Sequence, residues 1–151
     1  MKRASLHVAA LTCAVALLAP AAGAHASARE DRVERAITKM LNYIRVASGR
    51  SALHTSGRLA RIADRHSASM ARHNVLTHAP ALNARISRHG IVGETVGWMP
   101  RGTRDVARRI VQAWLASPPH RAALMDGRFH RVGVGRRRGR SGTFITAELM
   151  G

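Results

Sequence analysis

Cysteine is almost absent from this sequence, and its scarcity narrows the classes of protein that the chain can represent. The single cysteine, Cys13, lies in an N-terminal apolar stretch, so the rest of the chain forms no internal disulfide and offers no thiolate to a metal. Aromatic residues make up only 3% of the chain, too few for a base-stacking surface that binds single-stranded nucleic acid. No specific nucleic-acid partner is therefore expected.

Acidic residues are also scarce. The chain has 8 Asp and Glu against 25 Lys and Arg, a formal net charge of +17. Nearly all the basic residues are arginine, a bias that is typical of GC-rich genomes. The resulting field nevertheless favours adhesion to anionic envelope polymers, and this adhesion should weaken as salt rises.

A secretory signal peptide is predicted over residues 1–28. Lys2 and Arg3 give a basic start, residues 8–18 are apolar, and either Ala22-Gly23-Ala24 or Ala26-Ser27-Ala28 gives a small-residue cleavage site, of which the second sets the predicted bounds. The apolar run is too short for a membrane span, so no transmembrane segment is expected in the mature chain. The protein should be secreted, either to the outside or to the cell envelope.

Residues 29–151 are expected to form one domain of 151 − 28 = 123 residues with a formal charge of (25 − 2) − 8 = +15. Apolar periodicity predicts helices over residues 30–48, 56–73 and 103–116, with Ser56 and Thr103 as N-caps, and a short basic helix over 82–89. Extended segments are predicted over 91–98, 129–136 and 142–150, the last two as a hairpin. The arginines of residues 136–140 fall at its tip, where a solvated turn is favoured over an anion-binding finger.

Glu94 is the most unusual residue of the sequence. It is the only acid between Asp64 and Asp105, and its neighbours Val92 and Val96 are apolar. The flanking glycines would let other backbone or a ligand come close. A carboxylate in such surroundings needs a cation, a metal or hydrogen-bond donors.

Three histidines are candidates for that partner. His78 follows a helix and is free to point inward, and His120 comes directly after the helix-breaking sequence that begins at Ser117. His66 lies on the apolar face of a helix, where a core histidine bonded to backbone is favoured over a ligand. The spacing of these residues matches no compact metal motif.

The order of the sequence pieces is more informative than any one of them. The pieces are Leu41-Asn42-x-x-Arg45-x-x-x-Gly49, Leu53, Leu59-x-x-x-Ala63-x-x-His66-Ser67-x-x-Met70, His78, Gly93-Glu94-Thr95, Trp114-x-x-Ser117-Pro118-Pro119-His120-Arg121 and Phe129-x-x-Val132-Gly133-Val134-Gly135. This series resembles the bacterial branch of the CAP superfamily, the cysteine-rich secretory, antigen 5 and pathogenesis-related 1 proteins, also called SCP domains.

The resemblance implies an α+β fold, an α-β-α sandwich in which a small antiparallel sheet lies between helical layers. It also implies an open cleft in which His78 and His120 resemble the two histidines and Glu94 the first acid. The second acid of the eukaryotic members falls here on Ser117, so the set of four is incomplete. Thr95 stands where the family usually has asparagine.

Two roles for the cleft stay open at this point. His78, Glu94 and His120 are expected either to bind Zn²⁺ or another divalent ion weakly, or to bond to one another and stabilise the cleft. The favoured function is a secreted, non-enzymatic module that binds a lipid or another apolar small molecule, with no catalytic residue assigned. The alternatives are a metal-assisted hydrolase of peptide or cell-wall material with Glu94 as base, and a cationic protein that binds envelope polymers.

Overall fold

The computed structural model describes residues 22–79 and 90–151, with side chains from residue 32 onward. In that part of the chain it shows four helices and four strands: α1 Ala22–Ala47, β1 His54–Thr55, α2 Gly57–His73, β2 Val92–Pro100, α3 Val106–Ala116, α4 Pro118–Met125, β3 Arg131–Arg138 and β4 Gly142–Met150. The predicted basic helix over 82–89 lies outside the described residues, as do residues 1–21 of the predicted signal peptide.

The strands form one sheet in the order β1-β3-β4-β2. Strands β3, β4 and β2 are antiparallel, whereas the two-residue β1 runs parallel to β3. Helix α2 packs on one face of the sheet, and α1, α3 and α4 pack on the other. The predicted α-β-α sandwich is confirmed, but the sheet is mixed rather than purely antiparallel.

Successive side chains of the central strand β4 point alternately to the two faces of the sheet. Ile145, Ala147 and Leu149 belong to the main core with α1 and α3, while Phe144 and Met150 pack towards α2. Thr146 and Glu148 share the parity of Phe144 and therefore also face α2. A fully buried threonine and glutamate in this position are the first structural sign of a polar site between the sheet and α2.

Helix α2 lies unusually close to β3 because β3 presents glycine to it at two positions. A Cβ at Gly133 or at Gly135 would collide with the α2 backbone. The close contact is reinforced by Ser67, whose hydroxyl donates to the Gly135 carbonyl at 3.0 Å. The position of α2 over the sheet is thus fixed by the absence of side chains on β3.

Arg45 connects the C-terminal end of α1 to the segment at the end of α4. Its guanidinium is 1% exposed and donates to the carbonyls of Ser51, Leu124, Asp126 and Phe129 at 2.6 to 3.2 Å. Burial lowers the pKa of this group, and the four carbonyls compensate for the lost water.

Two predicted features differ from the structure. Thr103 is not an N-cap, because its hydroxyl bonds to the Pro100 carbonyl and α3 begins after Asp105, which has φ 50°. The predicted solvated turn at the hairpin is correct only in part. Arg138 and Arg140 are exposed at its tip, whereas Arg136 on β3 is 2% exposed and Arg137 forms an ion pair with Asp64.

Candidate functional site

Glu94 lies on β2 and faces α2, with its side chain 2% exposed. Oε1 accepts a hydrogen bond from Nδ1 of His78 at 2.7 Å and another from the backbone N–H of Ala79 at 3.1 Å. Because a carboxylate only accepts, Nδ1 of His78 carries a proton. The prediction that Glu94 sits away from water with hydrogen-bond donors around it is therefore confirmed.

His66 also belongs to this site. Its side chain is 9% exposed, and Nε2 lies 3.7 Å from Oε2 of Glu94. The same nitrogen lies 2.8 Å from the carbonyl of Thr77, to which it donates. The predicted core histidine bonded to backbone is thus correct, and it also holds the loop that carries His78.

Glu148 brings a second acid to the site. It lies directly opposite Glu94 in the pairing of β2 with β4, and it is 0% exposed. Burial raises the pKa of the Glu148 carboxyl to about 8, and the Glu94 charge and a hydrogen bond with Glu94 act in the same direction. No N–H or O–H group in the described part of the chain donates to either Glu148 oxygen or to Oε2 of Glu94. The raised pKa favours a neutral Glu148, which lowers the cost of burying two carboxyl groups side by side.

His120 borders the site from the start of α4. Its ring centroid lies 6.2 Å from that of His78, with the ring planes at 42°. Burial lowers the pKa of His120, and repulsion by His78 lowers it further. The structure thus brings His78, Glu94 and His120 to one place.

Ser117 takes no visible part in the cluster. It joins α3 to α4, its side chain makes no capping hydrogen bond, and its described hydrogen bonds are formed by the backbone. No described hydrogen bond activates its hydroxyl, so Ser117 has no sign of a nucleophile.

The glycines beside Glu94 serve the core. A Cβ on Gly93 would meet the ring of Phe129, and one on Gly97 would meet Ile110 and Trp114. Both glycines therefore face the main core rather than the site. They admit neighbouring side chains, and no approach to a ligand is needed to explain them.

The arrangement does not fit a metal ion as it stands. Within residues 32–79 and 90–151, no three His, Cys, Asp or Glu side chains are placed to hold an ion. Two imidazoles on one Zn²⁺ have ring centroids about 5–6 Å apart, since each Zn–N distance is about 2.0–2.1 Å. His78 and His120 are just outside that range, and Oε1 of Glu94 already accepts two hydrogen bonds. An ion on Nε2 of His78 would leave the bond from Nδ1 to Glu94 in place, but His120 would have to move closer to share it.

Glu148 is the site residue that sequence reasoning missed. The sequence did contain a feature that could have identified it, because this acid stands among Phe144, Ile145 and Leu149 in a strand whose other residues are uncharged. What the sequence does not show is that β4 pairs with β2 in the register that sets Glu148 opposite Glu94.

Comparison with known proteins gives the family. The model of the cysteine-rich secretory protein family, CAP, matches residues 38–149. The chain belongs to the CAP family. Comparison with curated proteins gave no match.

Solved structures of three bacterial proteins agree with this CAP fold. An outer surface protein from Borrelia burgdorferi has a TM-score of 0.68 at 17% identity, over 79% of this chain and 92% of that one. An extracellular protein containing an SCP domain from Bacillus anthracis has a TM-score of 0.71 at 23% identity, over 87% of this chain and 44% of that one. A cysteine-rich secretory protein from Staphylococcus aureus has a TM-score of 0.60 at 19% identity, over 81% of this chain and 39% of that one.

Two of the three matched proteins are much longer than this chain. The chain spans less than half the length of the Bacillus and Staphylococcus proteins, so it corresponds to one part of each. Among the described residues, no helix combines the length and the apolar character that crossing a membrane requires. The comparisons establish the CAP fold, and the ligand has to be argued from the site.

Proposed function

We propose that this CAP domain is a secreted binding module that takes up a small amphipathic molecule at the cleft between His78, Glu94 and His120. The observation that carries the proposal is that the Glu94 carboxylate is buried and held by His78 and Ala79. A group fixed in this way orients a polar head group without moving during binding.

The surroundings of the cleft support an apolar part in the ligand. Within the described residues, six large hydrophobic side chains are exposed, and two of them, Val75 and Leu76, are neighbours in the loop that leads to His78. Exposed apolar groups around a few fixed polar ones are typical of small-molecule sites.

Secretion to the outside or to the cell envelope belongs to the same proposal. It is supported by the signal-like residues 1–28 and by the described location of two similar proteins, one extracellular and one at the outer surface. Mass spectrometry of the exported protein tests it, with an N-terminus at Arg29 as the expected result. Retention of residues 1–28 on the exported protein would contradict the cleavage.

Binding of Nile red, a neutral apolar fluorophore, tests the cleft. Leu76→Ser should weaken binding about tenfold, because burying one such side chain contributes about 1.5–3 kcal/mol. Val46→Ser on α1 is the matched control, since Val46 is also exposed but far along the chain from the cleft residues, and it should bind like the unmodified protein.

Equal binding by all three proteins would overturn the proposal. So would evidence of catalysis, namely labelling of Ser117 by a fluorophosphonate, or turnover of a peptide or cell-wall substrate that is lost in Glu94→Gln. Catalysis is disfavoured because Oε1 of Glu94 is occupied by two donors and no activated hydroxyl in the described part of the chain contacts it.

A further inference from the structure

A second concave surface lies on the other face of the sheet. A cavity of about 1240 Å³ lies between four parts of the chain. They are residues 32–40 of α1, the turn over residues 100–105, the first turn of α3 and the end of the β3–β4 hairpin. Its floor is apolar and includes Val33, Met40 and Val106. It is open along one side and shares no residue with the cleft around Glu94. We call it the arginine groove.

Arginine is concentrated around this groove. Among the described residues, six arginines line it: Arg32, Arg101, Arg104, Arg108, Arg136 and Arg138. Asp105 is the only acid among those described lining residues, and it forms an ion pair with Arg108. In the described part of the chain, no ion pair joins Arg32, Arg101, Arg104 or Arg138 to an acid. Four unpaired guanidinium groups therefore surround one hollow, and mutual repulsion disfavours such an arrangement unless an anion enters it.

The position of these arginines indicates an extended anion rather than a small one. Arg32 comes from α1, Arg101 and Arg104 from the turn after β2, and Arg138 from the hairpin. Because the charges come from three segments around the perimeter, one phosphate ion contacts only part of the set. A flexible chain with several charges contacts all of it. Arginine also forms two parallel hydrogen bonds to one phosphate, which lysine does not.

The lining also favours one kind of polyanion. It contains no Phe, Tyr or Trp, so it offers no platform for stacked bases and disfavours single-stranded nucleic acid. Its apolar residues suit the CH and CH₂ groups of short aliphatic segments between the charges, while hydroxyl groups on those segments can face the open side. We infer that the arginine groove binds a flexible phosphodiester polymer with polyol repeats. The expected adhesion to anionic envelope polymers is thereby assigned to a defined surface.

Binding of a fluorescently labelled poly(glycerol phosphate) oligomer tests the inference. Arg101→Gln/Arg104→Gln removes two charges from the groove, and Arg58→Gln/Arg61→Gln removes two from exposed positions on α2, across the sheet. The groove variant should bind roughly tenfold or more weakly, and the slope of log affinity against log salt should fall by about 1.5. The α2 variant should change affinity less than about threefold and keep its slope.

Several results would overturn the inference. Equal losses in the two double variants would mean that only the net charge matters. Inorganic phosphate binding as tightly as the oligomer would mean a small-anion site, and equally tight binding of single-stranded DNA would mean a general polyanion surface. Circular dichroism of both variants shows that they are folded. Glu94→Gln should leave oligomer binding unchanged, which separates this surface from the cleft.

Discussion

At the scale of single residues, Glu148 decides the character of the cleft. The family resemblance left the site with one acid, because serine stands at position 117. The structure supplies another acid from β4, which is fully buried and lies opposite Glu94 in the pairing of β2 with β4. Two neighbouring carboxyl groups away from water form a different site from one carboxylate between two histidines, because charge on one disfavours charge on the other.

Replacing Glu148 by glutamine should remove a pH dependence of stability. The folded pKa of Glu148 is raised from 4.5 to about 8, so its contribution to stability is complete below about 4.5 and is lost as pH rises to about 8. Glutamine is neutral at every pH and still donates to Glu94. Glu148→Gln should therefore gain stability relative to the unmodified protein across this range, by more than about 1 kcal/mol at the alkaline end.

Urea denaturation at a series of pH values measures this difference. Asp105→Asn, which removes an exposed acid on the other face of the sheet, is the control and should not reproduce the trend. If the curves of Glu148→Gln and the unmodified protein stayed parallel from acid to alkaline pH, Glu148 would not be protonated in the folded state.

Weak zinc binding is a second prediction at this scale. Nδ1 of His78 donates to Glu94, which leaves Nε2 as the nitrogen for an ion, but the ring of His120 lies slightly too far away to share that ion without moving. Titration calorimetry with Zn²⁺ should show small heats for the unmodified protein and none for His78→Ala. His73→Ala, an exposed histidine at the end of α2, should behave like the unmodified protein. Equal heats for all three would reject a site at His78.

At the scale of helices and strands, the cleft depends on how closely α2 approaches β3. Gly135 and Ser67 set this distance, and His66 on the same helix reaches both Thr77 and Glu94 only from there. Packing between two elements thus controls the geometry of a hydrogen-bonded cluster.

Gly135→Ala should displace α2 and disturb the cleft. The added methyl group meets helix backbone, which cannot rotate away, so we expect a loss of about 2–3 kcal/mol in the free energy of unfolding. Nile red binding should weaken in the same variant. Gly57→Ala at the start of α2 is the control, because its Cβ meets only the end of Arg61 at 3.6 Å. Unchanged stability in Gly135→Ala would show that α2 is not held as close as described.

The elements themselves were largely predictable from sequence, and their pairing was not. Periodic apolar residues gave α1, α2 and α3, and the hairpin followed from its two extended segments. Strand β1 was missed because two residues carry no pattern. The family resemblance placed His78, Glu94 and His120 together. Glu148 was missed because its role depends on a register between strands about fifty residues apart, which a single sequence does not record.

At the scale of the whole molecule, the positive charge, +17 for the full sequence and +15 for the predicted mature domain, should lower stability at low ionic strength. Like charges repel most in the compact state, and salt screens them over about 8 Å at physiological strength against about 30 Å in dilute buffer. The melting temperature should therefore rise by several degrees between about 0.01 and 0.15 M NaCl. Sucrose of equal osmolarity is the control and should have a much smaller effect. A melting temperature independent of salt would mean that the folded chain has already neutralised its charge.

The strand order has a consequence for the timing of folding. Strand β4 comes last of the described strands but lies inside the sheet, between β3 and β2. Until residues 142–150 have emerged, β2 lacks its neighbour and Glu94 lacks its partner acid. A chain that crossed a membrane starting from its N-terminus would thus stay unfolded until residues 142–150 had passed, and the cleft would form only after that.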